Sequence, residues 1–259
     1  MNAIFDSHAH YDDEAFDEDR EELLAALPCQ NVCAVVNAAS DLASSRRGIA
    51  LSERYPYFWA AVGVHPQEAG RADLSELEEI KRLAGHPRVV AIGEIGLDYH
   101  YDEPARDLQA DWFEEQLALA KELDLPVIVH DRDAHEDVFR LLRRYQPKGV
   151  VHCFSGSAEM AKEIVRLGMY IGLGGAVTFK NARRPVQVAA AIPPDRLLLE
   201  TDAPYMTPVP LRGKRNRSDY LAHTAARLAD IRGVSPDDIY ALTRENACRL
   251  FGIAPDDLL

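Results

Sequence analysis

The chain lacks the marks of several protein classes. No run of about 18 apolar residues occurs, so no transmembrane helix is expected. The start has neither a basic n-region nor an apolar h-region and passes at once into a short apolar segment. Export by a standard signal is therefore not expected, and a cytoplasmic location is. Cysteine is scarce: Cys29, Cys33, Cys153 and Cys248 form no C-x-x-C pair and read as reduced small hydrophobes. No Gly-rich dinucleotide turn follows the first apolar segment, which disfavours an open nucleotide-binding sheet. Positive charge is also short, 29 Lys and Arg against 42 Asp and Glu, for a net charge of −13. That balance argues against a generic nucleic-acid coat protein, but leaves room for an enzyme gripping nucleic acid at one local patch. Eight of the acids fall between Asp12 and Glu22 with one Arg, and read as a solvated helix face. No linker, low-complexity stretch or long repeat breaks the 259 residues, so one domain spanning 1–259 is expected.

What the chain does have is alternation. Apolar, β-branched runs at 3–6, 32–37, 58–64, 89–92, 127–129, 149–151, 169–173 and 197–200 predict eight strands. Helical patterns separate them at 14–27, 42–55, 74–84, 105–123, 134–145, 158–167 and 184–191, and two more follow at 219–231 and 236–251. Ser235-Pro236-Asp237-Asp238 is an N-cap, a first-turn Pro and first-turn acids. Short connections between alternating strands and helices imply a parallel sheet under helices. Eight units in this length predict an α/β fold of the (β/α)8 TIM-barrel class.

Barrel chemistry sits at the C-terminal ends of the strands. His8 and His10, His65, Glu94, His130, His152 and Asp202 all stand at or just after predicted strand ends. The other histidines, His86, His100, His135 and His223, lie in loops or predicted helices. One histidine at a strand end is usually a hydrogen-bonded structural residue; so many at one end of successive strands point to a metal centre. His8 and His10, two apart, share a strand face and can reach one ion. Two divalent ions fit best, with His8, His10 and Asp202 for the first, His130 and His152 for the second, and Glu94 bridging. Two such ions bring four positive charges against two carboxylates, which favours an anionic substrate, and a water bound to them titrates near about 7. Four imidazoles suit Zn, Mn, Fe, Co or Ni better than Mg.

These residues lie in specific motifs: Phe5-Asp6-Ser7-His8-Ala9-His10, Gly63-Val64-His65-Pro66, Gly93-Glu94-Ile95-Gly96-Leu97-Asp98-Tyr99, His152-Cys153-Phe154-Ser155-Gly156, Glu200-Thr201-Asp202-Ala203-Pro204 and Arg212-Gly213-Lys214-Arg215-Asn216. On them, and over nearly its whole length, the chain resembles the TatD-family metal-dependent deoxyribonucleases of the amidohydrolase superfamily. The resemblance implies a dinuclear site on His8, His10, Glu94, His130, His152 and Asp202, and cleavage of DNA phosphodiester bonds, often as a 3′-5′ exonuclease. Family members are generally described as Mg-dependent. Two positions depart from the pattern. Arg217 and Ser218 stand where an acid and a Pro are usual, and Asp131, read as loop surface, follows His130 where Ser or Cys is commoner.

Asp202 and Glu94 are the candidate catalytic residues, with Asp202 taking the proton of the attacking water. Residues 203–218 contain no acid but carry Arg212, Lys214, Arg215 and Arg217, a local phosphate grip together with Asn216, His65 and the cations Lys180, Arg183 and Arg184. Tyr99, Phe154 and Tyr205 are candidates for stacking on a base. The expected partner is a DNA substrate, with single-stranded ends favoured; neither a membrane nor an obligate protein partner is implied. The alternatives are a small-molecule amidohydrolase or phosphoesterase using the same ligands, and a metal-free scaffold.

Overall fold

In the computed structural model, which describes residues 3–259, eight strands run parallel in sequence order: β1 (Ile4–Ala9), β2 (Val32–Asn37), β3 (Phe58–Val62), β4 (Val89–Asp98), β5 (Val127–Arg132), β6 (Gly149–Val151), β7 (Tyr170–Leu173) and β8 (Leu197–Leu199). Each pairs with the next. The ring is drawn together where β1 meets the segment after β8. Ala9 bridges Ala203, His10 N donates to Ala203 O at 2.7 Å, and Asp202 N donates to His8 O at 2.9 Å. The expected (β/α)8 barrel is present.

Helices α1 (Arg20–Ala26), α2 (Leu42–Arg54), α3 (Glu76–Ala84), α4 (Arg106–Glu122), α5 (His135–Tyr145), α6 (Ala158–Arg166), α7 (Arg183–Ala191) and α8 (Leu221–Arg232) lie between or after the strands. A ninth, α9 (Pro236–Phe251), begins at the expected Ser235 N-cap, with Asp238 completing a capping box. Alternate strand residues face opposite ways, and the core divides accordingly. Leu197 and Leu199 join the large cluster that includes the helices, whereas Leu198, with Phe5, Val36, Ile128 and Val150, joins Ala247 and Phe251 of α9. Asn246 of α9 donates to Leu197 O at the start of β8, so α9 packs at the N-terminal side of the strands. The opposite rim, where the strands end, is left for the site.

Four elements differ most from expectation. β1 continues to Ala9, β4 to Asp98 and β5 to Arg132, past the predicted ends at 6, 92 and 129. In β4, Gly93 and Gly96 look like loop residues, yet β5 pairs with β4 as far as Arg132. The acidic run at 12–22 is not one helix face. Asp13 caps a 3₁₀ turn (Glu14–Phe16), and α1 starts only at Arg20. Arg20 folds the segment back by donating to Tyr11 O, Asp13 O and Asp17. Asp12 is buried and accepts from Asn37, Ser44 and Arg47.

Candidate active site

His8, His10, Glu94, His130, His152 and Asp202 come together at the C-terminal rim. His8 lies within β1 and is fully buried; Glu94 lies within β4 and is buried; His130 lies in β5. His152 follows β6, and Asp202 follows β8 with a left-handed φ of 59°, an uncommon conformation for a non-Gly residue that aims its carboxylate at His8 and His10.

Glu94 stands at the centre with its two oxygens divided. Oε2 is 3.2 Å from His8 Nε2 and 3.4 Å from His10 Nε2. Oε1 is 2.6 Å from His130 Nδ1, 2.7 Å from His152 Nε2 and 3.5 Å from His65 Nε2. Asp202 Oδ1 adds a fourth donor to the first group, 3.6 Å from His8 Nε2 and 3.5 Å from His10 Nε2. His152 leans toward the first group too, its ring stacked on that of His8 at 3.9 Å. His65 sits with the second, its ring edge-on to His130 at 4.5 Å.

This arrangement fits divalent cations. Donors around one tetrahedral ion at about 2.1 Å stand about 3.4 Å apart. His8 and His10 Nε2 are 3.0 Å from each other, and their distances to Glu94 and Asp202 run from 3.2 to 3.6 Å. The outer nitrogens of two imidazoles are held by partners. His10 Nδ1 faces Ala38 O at 2.9 Å, and His130 Nε2 faces Asp98 Oδ2 at 3.2 Å. The titration directions also ask for positive charge. Burial opposes ionisation of Glu94, yet His152, His65, His8 and the bond to His10 hold its carboxyl well below the usual range. Burial likewise opposes charge on His130, but its bonds to Asp98 and Glu94 push its pKa up to about 9. His10 is raised in the same way by Asp202 and Glu94, against burial. Burial and His152 lower His8 to about 4.

Several residues around the centre were not legible as site residues. Asp98 is buried, takes Gln67 Nε2 at 2.8 Å and the amide of His100 at 3.0 Å, and is held to about 2, burial being outweighed by the bonds from His130 and His100. The signal was available: Glu94, Gly96 and Asp98 alternate onto one face of a strand. Asp131, read as loop surface, is instead buried in β5 and bonded to His135 at 2.7 Å. Glu200 passes behind β7 from β8, accepts from the amide of Cys153, and is raised to about 8 by burial. The room for it comes from Gly172, where a Cβ would lie 2.2 Å from Glu200 Oε2.

The cationic loop after β8 divides in two. Arg212 and Lys214 are exposed, Arg212 lying over the Phe179 ring at 4.1 Å. Arg215 is bound to Asp19 and Ala15 O, both at 2.6 Å. Asn216 is fully buried, its carboxamide donating to Thr201 O and Tyr205 O, so it shapes the loop from within. At the two departing positions, Arg217 pairs with Asp219 and Gln30, and Ser218 is buried between Asp6 and Tyr11, donating to Asp6 Oδ2 at 2.7 Å. Lys180, Arg183 and Arg184 are exposed. Among the aromatics, Phe154 is buried and Tyr99 bonds Asp137, whereas Tyr205 is 56% exposed at the rim.

Residues 5–252 match the TatD related DNase family. The chain belongs to the TatD family. It is 44% identical over 253 residues to the metal-dependent hydrolase YabD of Bacillus subtilis, covering 96% of this chain and 99% of that protein. It is 38% identical over 260 residues to the 3′-5′ ssDNA/RNA exonuclease TatD of Cronobacter sakazakii, covering 96% of this chain and 97% of the other. The crystal structure of YJJV, a TatD homologue from Escherichia coli, superposes with a TM-score of 0.92 at 35% identity, over 98% of this chain and all of that one. As a TatD-family protein the chain is a metal-dependent hydrolase with histidine and carboxylate clusters able to hold metal. No helix among its described residues is long and apolar enough to cross a membrane.

Proposed function

We propose that this TatD-family hydrolase is a cytoplasmic, single-domain exonuclease that removes nucleotides from the 3′ end of single-stranded DNA. The observation that carries this reading is the division of Glu94 between two groups of imidazoles at an open cavity of about 660 Å³. Support for a polynucleotide comes from the relative named a 3′-5′ ssDNA/RNA exonuclease and from the exposed cations Arg212 and Lys214.

His8, His10 and Asp202 would hold one divalent ion, and His130 and His152 a second with His65 beside them, Glu94 serving both. Zn, Mn and Mg are the candidates. Bound here, such ions lower the pKa of a coordinated water to about 7 and draw charge from phosphoryl oxygens. The chain's own groups do the rest. The Ala38 carbonyl and Asp98 fix the rings of His10 and His130. Asp202 is ionised, the His10 bond and His152 outweighing burial, so its carboxylate is in the form that takes a proton from the attacking water. Glu94 stays ionised through the cycle. Arg212 and Lys214 hold phosphates outside the centre, while Arg215 and Asn216 keep that loop in place.

The test is hydrolysis of end-labelled single-stranded DNA and RNA, alongside amide, lactone and small phosphodiester substrates, across Mg, Mn and Zn. Progressive shortening of DNA from the 3′ end, lost in Asp202→Asn with folding intact, is expected. Turnover confined to small amides or lactones would replace this reading with the small-molecule amidohydrolase.

A further inference from the structure

The cavity over the imidazoles has two lobes of different charge, and Tyr205 lines both. The lobe of about 660 Å³ over His130 and His152 has Arg132, Tyr101 and Ser155 at its mouth. Its carboxylates are each engaged by a histidine: Glu94 and Asp202 at the centre, Asp98 by His130 and Asp131 by His135. The other lobe, about 550 Å³, runs from His10, His65 and Glu94 over Asp12, Asp13, Glu14, Asp17 and Glu68. Arg47, paired with Asp12, is the one Lys or Arg among its described lining residues. Glu14 and Asp17 are exposed there.

Tyr205 is more than half exposed, so burial does not explain it, yet it is fixed at three points. Its amide donates to Asp202 O at 2.7 Å, its carbonyl accepts from buried Asn216 at 2.7 Å, and its hydroxyl donates to Asp13 Oδ2 at 3.2 Å. An exposed ring held rigidly three residues from a candidate catalytic carboxylate is prepared for a planar partner.

We propose that Tyr205 is the stacking platform for the base of the terminal nucleoside, which occupies the acidic lobe while the phosphate backbone runs past Arg132. This rests on the polynucleotide reading above. Beyond the bond to be cut, a 3′-terminal nucleoside offers a base, a sugar and a free hydroxyl, but no further phosphate. An interior nucleotide would press its next phosphate against Asp13 and Glu14, a like-charge contact that excludes it, Asp17 being paired with Arg20. Tyr205 supplies affinity for the end, and the carboxylates reject everything that is not an end.

The experiment compares oligonucleotides ending in an ordinary 3′ nucleotide, a 3′ abasic residue or a 3′ phosphate, with bis(p-nitrophenyl) phosphate run in parallel. The wild type is expected to show a KM about tenfold higher for the abasic end, because a base stacked on an aromatic ring contributes about 1–3 kcal/mol. Tyr205→Phe keeps that ratio, and Tyr205→Ala brings it near one. The 3′ phosphate slows the wild type about tenfold or more, and Glu14→Lys narrows the gap. Because each readout is a ratio within one protein, a general loss of activity cancels. Equal losses on ordinary and abasic ends in Tyr205→Ala would show a merely structural tyrosine and overturn the proposal, as would a wild type indifferent to the 3′ phosphate. If no oligonucleotide is cut while the small diester is hydrolysed, the polynucleotide reading itself falls and takes this inference with it.

Discussion

Asp98 touches His130 on the side away from Glu94, and its own position is set by Gln67 and the amide of His100. An imidazole held in this way keeps one nitrogen turned inward, and loss of such an outer partner commonly weakens metal affinity about 10–100-fold. Asp98→Ala is expected to fall in that range by calorimetric titration with Zn or Mn, with partial recovery in Asp98→Asn; an affinity equal to wild type would show that the contact does not position the ring. A second expectation follows from the protons on His10 and His130. His130 is raised from the ordinary 6.5 to about 9, so in metal-stripped protein the stability it contributes is complete below about pH 6.5 and is lost as the pH climbs through about 9. A cation must displace these protons, so apparent metal affinity rises over the same window. The thermal midpoint of chelated protein should therefore drop between pH 6.5 and 9 relative to loaded protein. Parallel profiles for the two forms would contradict the assignment of those charges.

Strand β4 shows how an element places the site. Its register with β5 shifts between Ile92 and Ile95, the stretch that contains Glu94, and pairing resumes with Ile95 opposite Val129 and Gly96 opposite His130. Gly96 has a φ of 146°, and a Cβ there would lie 2.0 Å from the His130 carbonyl oxygen. Gly96→Ala is expected to cost about 1–3 kcal/mol in overpacking, with backbone strain added, and to part Glu94 from His130. Both a thermal midpoint lower by about 5 °C and a loss of metal affinity should appear. A variant that loses stability yet binds metal as before would show that the strand contact does not set the site. The same strand marks where the sequence is and is not legible. Apolar β-branched runs located all eight strands and their order, because burial on both faces leaves a continuous apolar signature. The ends of β1 and β4 were not visible, because Ser7, His8, Gly93 and Gly96 carry no strand preference and are held extended by neighbours distant in sequence. Donor residues at strand ends could be named from the chain; Asp98 and Asp131 were missed because β4 and β5 run on past their apolar stretches, to Asp98 and Arg132. The acids at 12–17 were misplaced for a related reason: helical spacing was present, but Asp13 and Arg20 tie that stretch into a turn.

At the scale of the whole molecule, a net charge of −13 coexists with a proposed polyanionic substrate. Long-range attraction cannot supply the affinity, so binding must come from a few local contacts and from the site itself. Arg132 lines the cavity and Arg212 and Lys214 are exposed on the loop after β8; these are the cations proposed for this role. For single strands each neutralised phosphate contributes about 0.7 to the slope of log affinity against log salt, so three contacts predict a slope of about −2, shallow beside that of a basic coat protein. Cations in the metal centre would add to the absolute value, which makes the change on mutation the cleaner measure. Lys214→Ala should flatten the slope by about 0.7 and weaken binding evenly across sequences, read by fluorescence anisotropy of labelled single-stranded DNA on Asp202→Asn protein. Arg215→Ala tests the division of that loop from the other side. Its guanidinium is occupied by Asp19 and Ala15, so its loss should lower the thermal midpoint while leaving the salt slope unchanged. A slope that flattens equally in both variants would mean that the loop moves to free Arg215 for phosphate, and that its bonds to the acidic segment open when substrate binds.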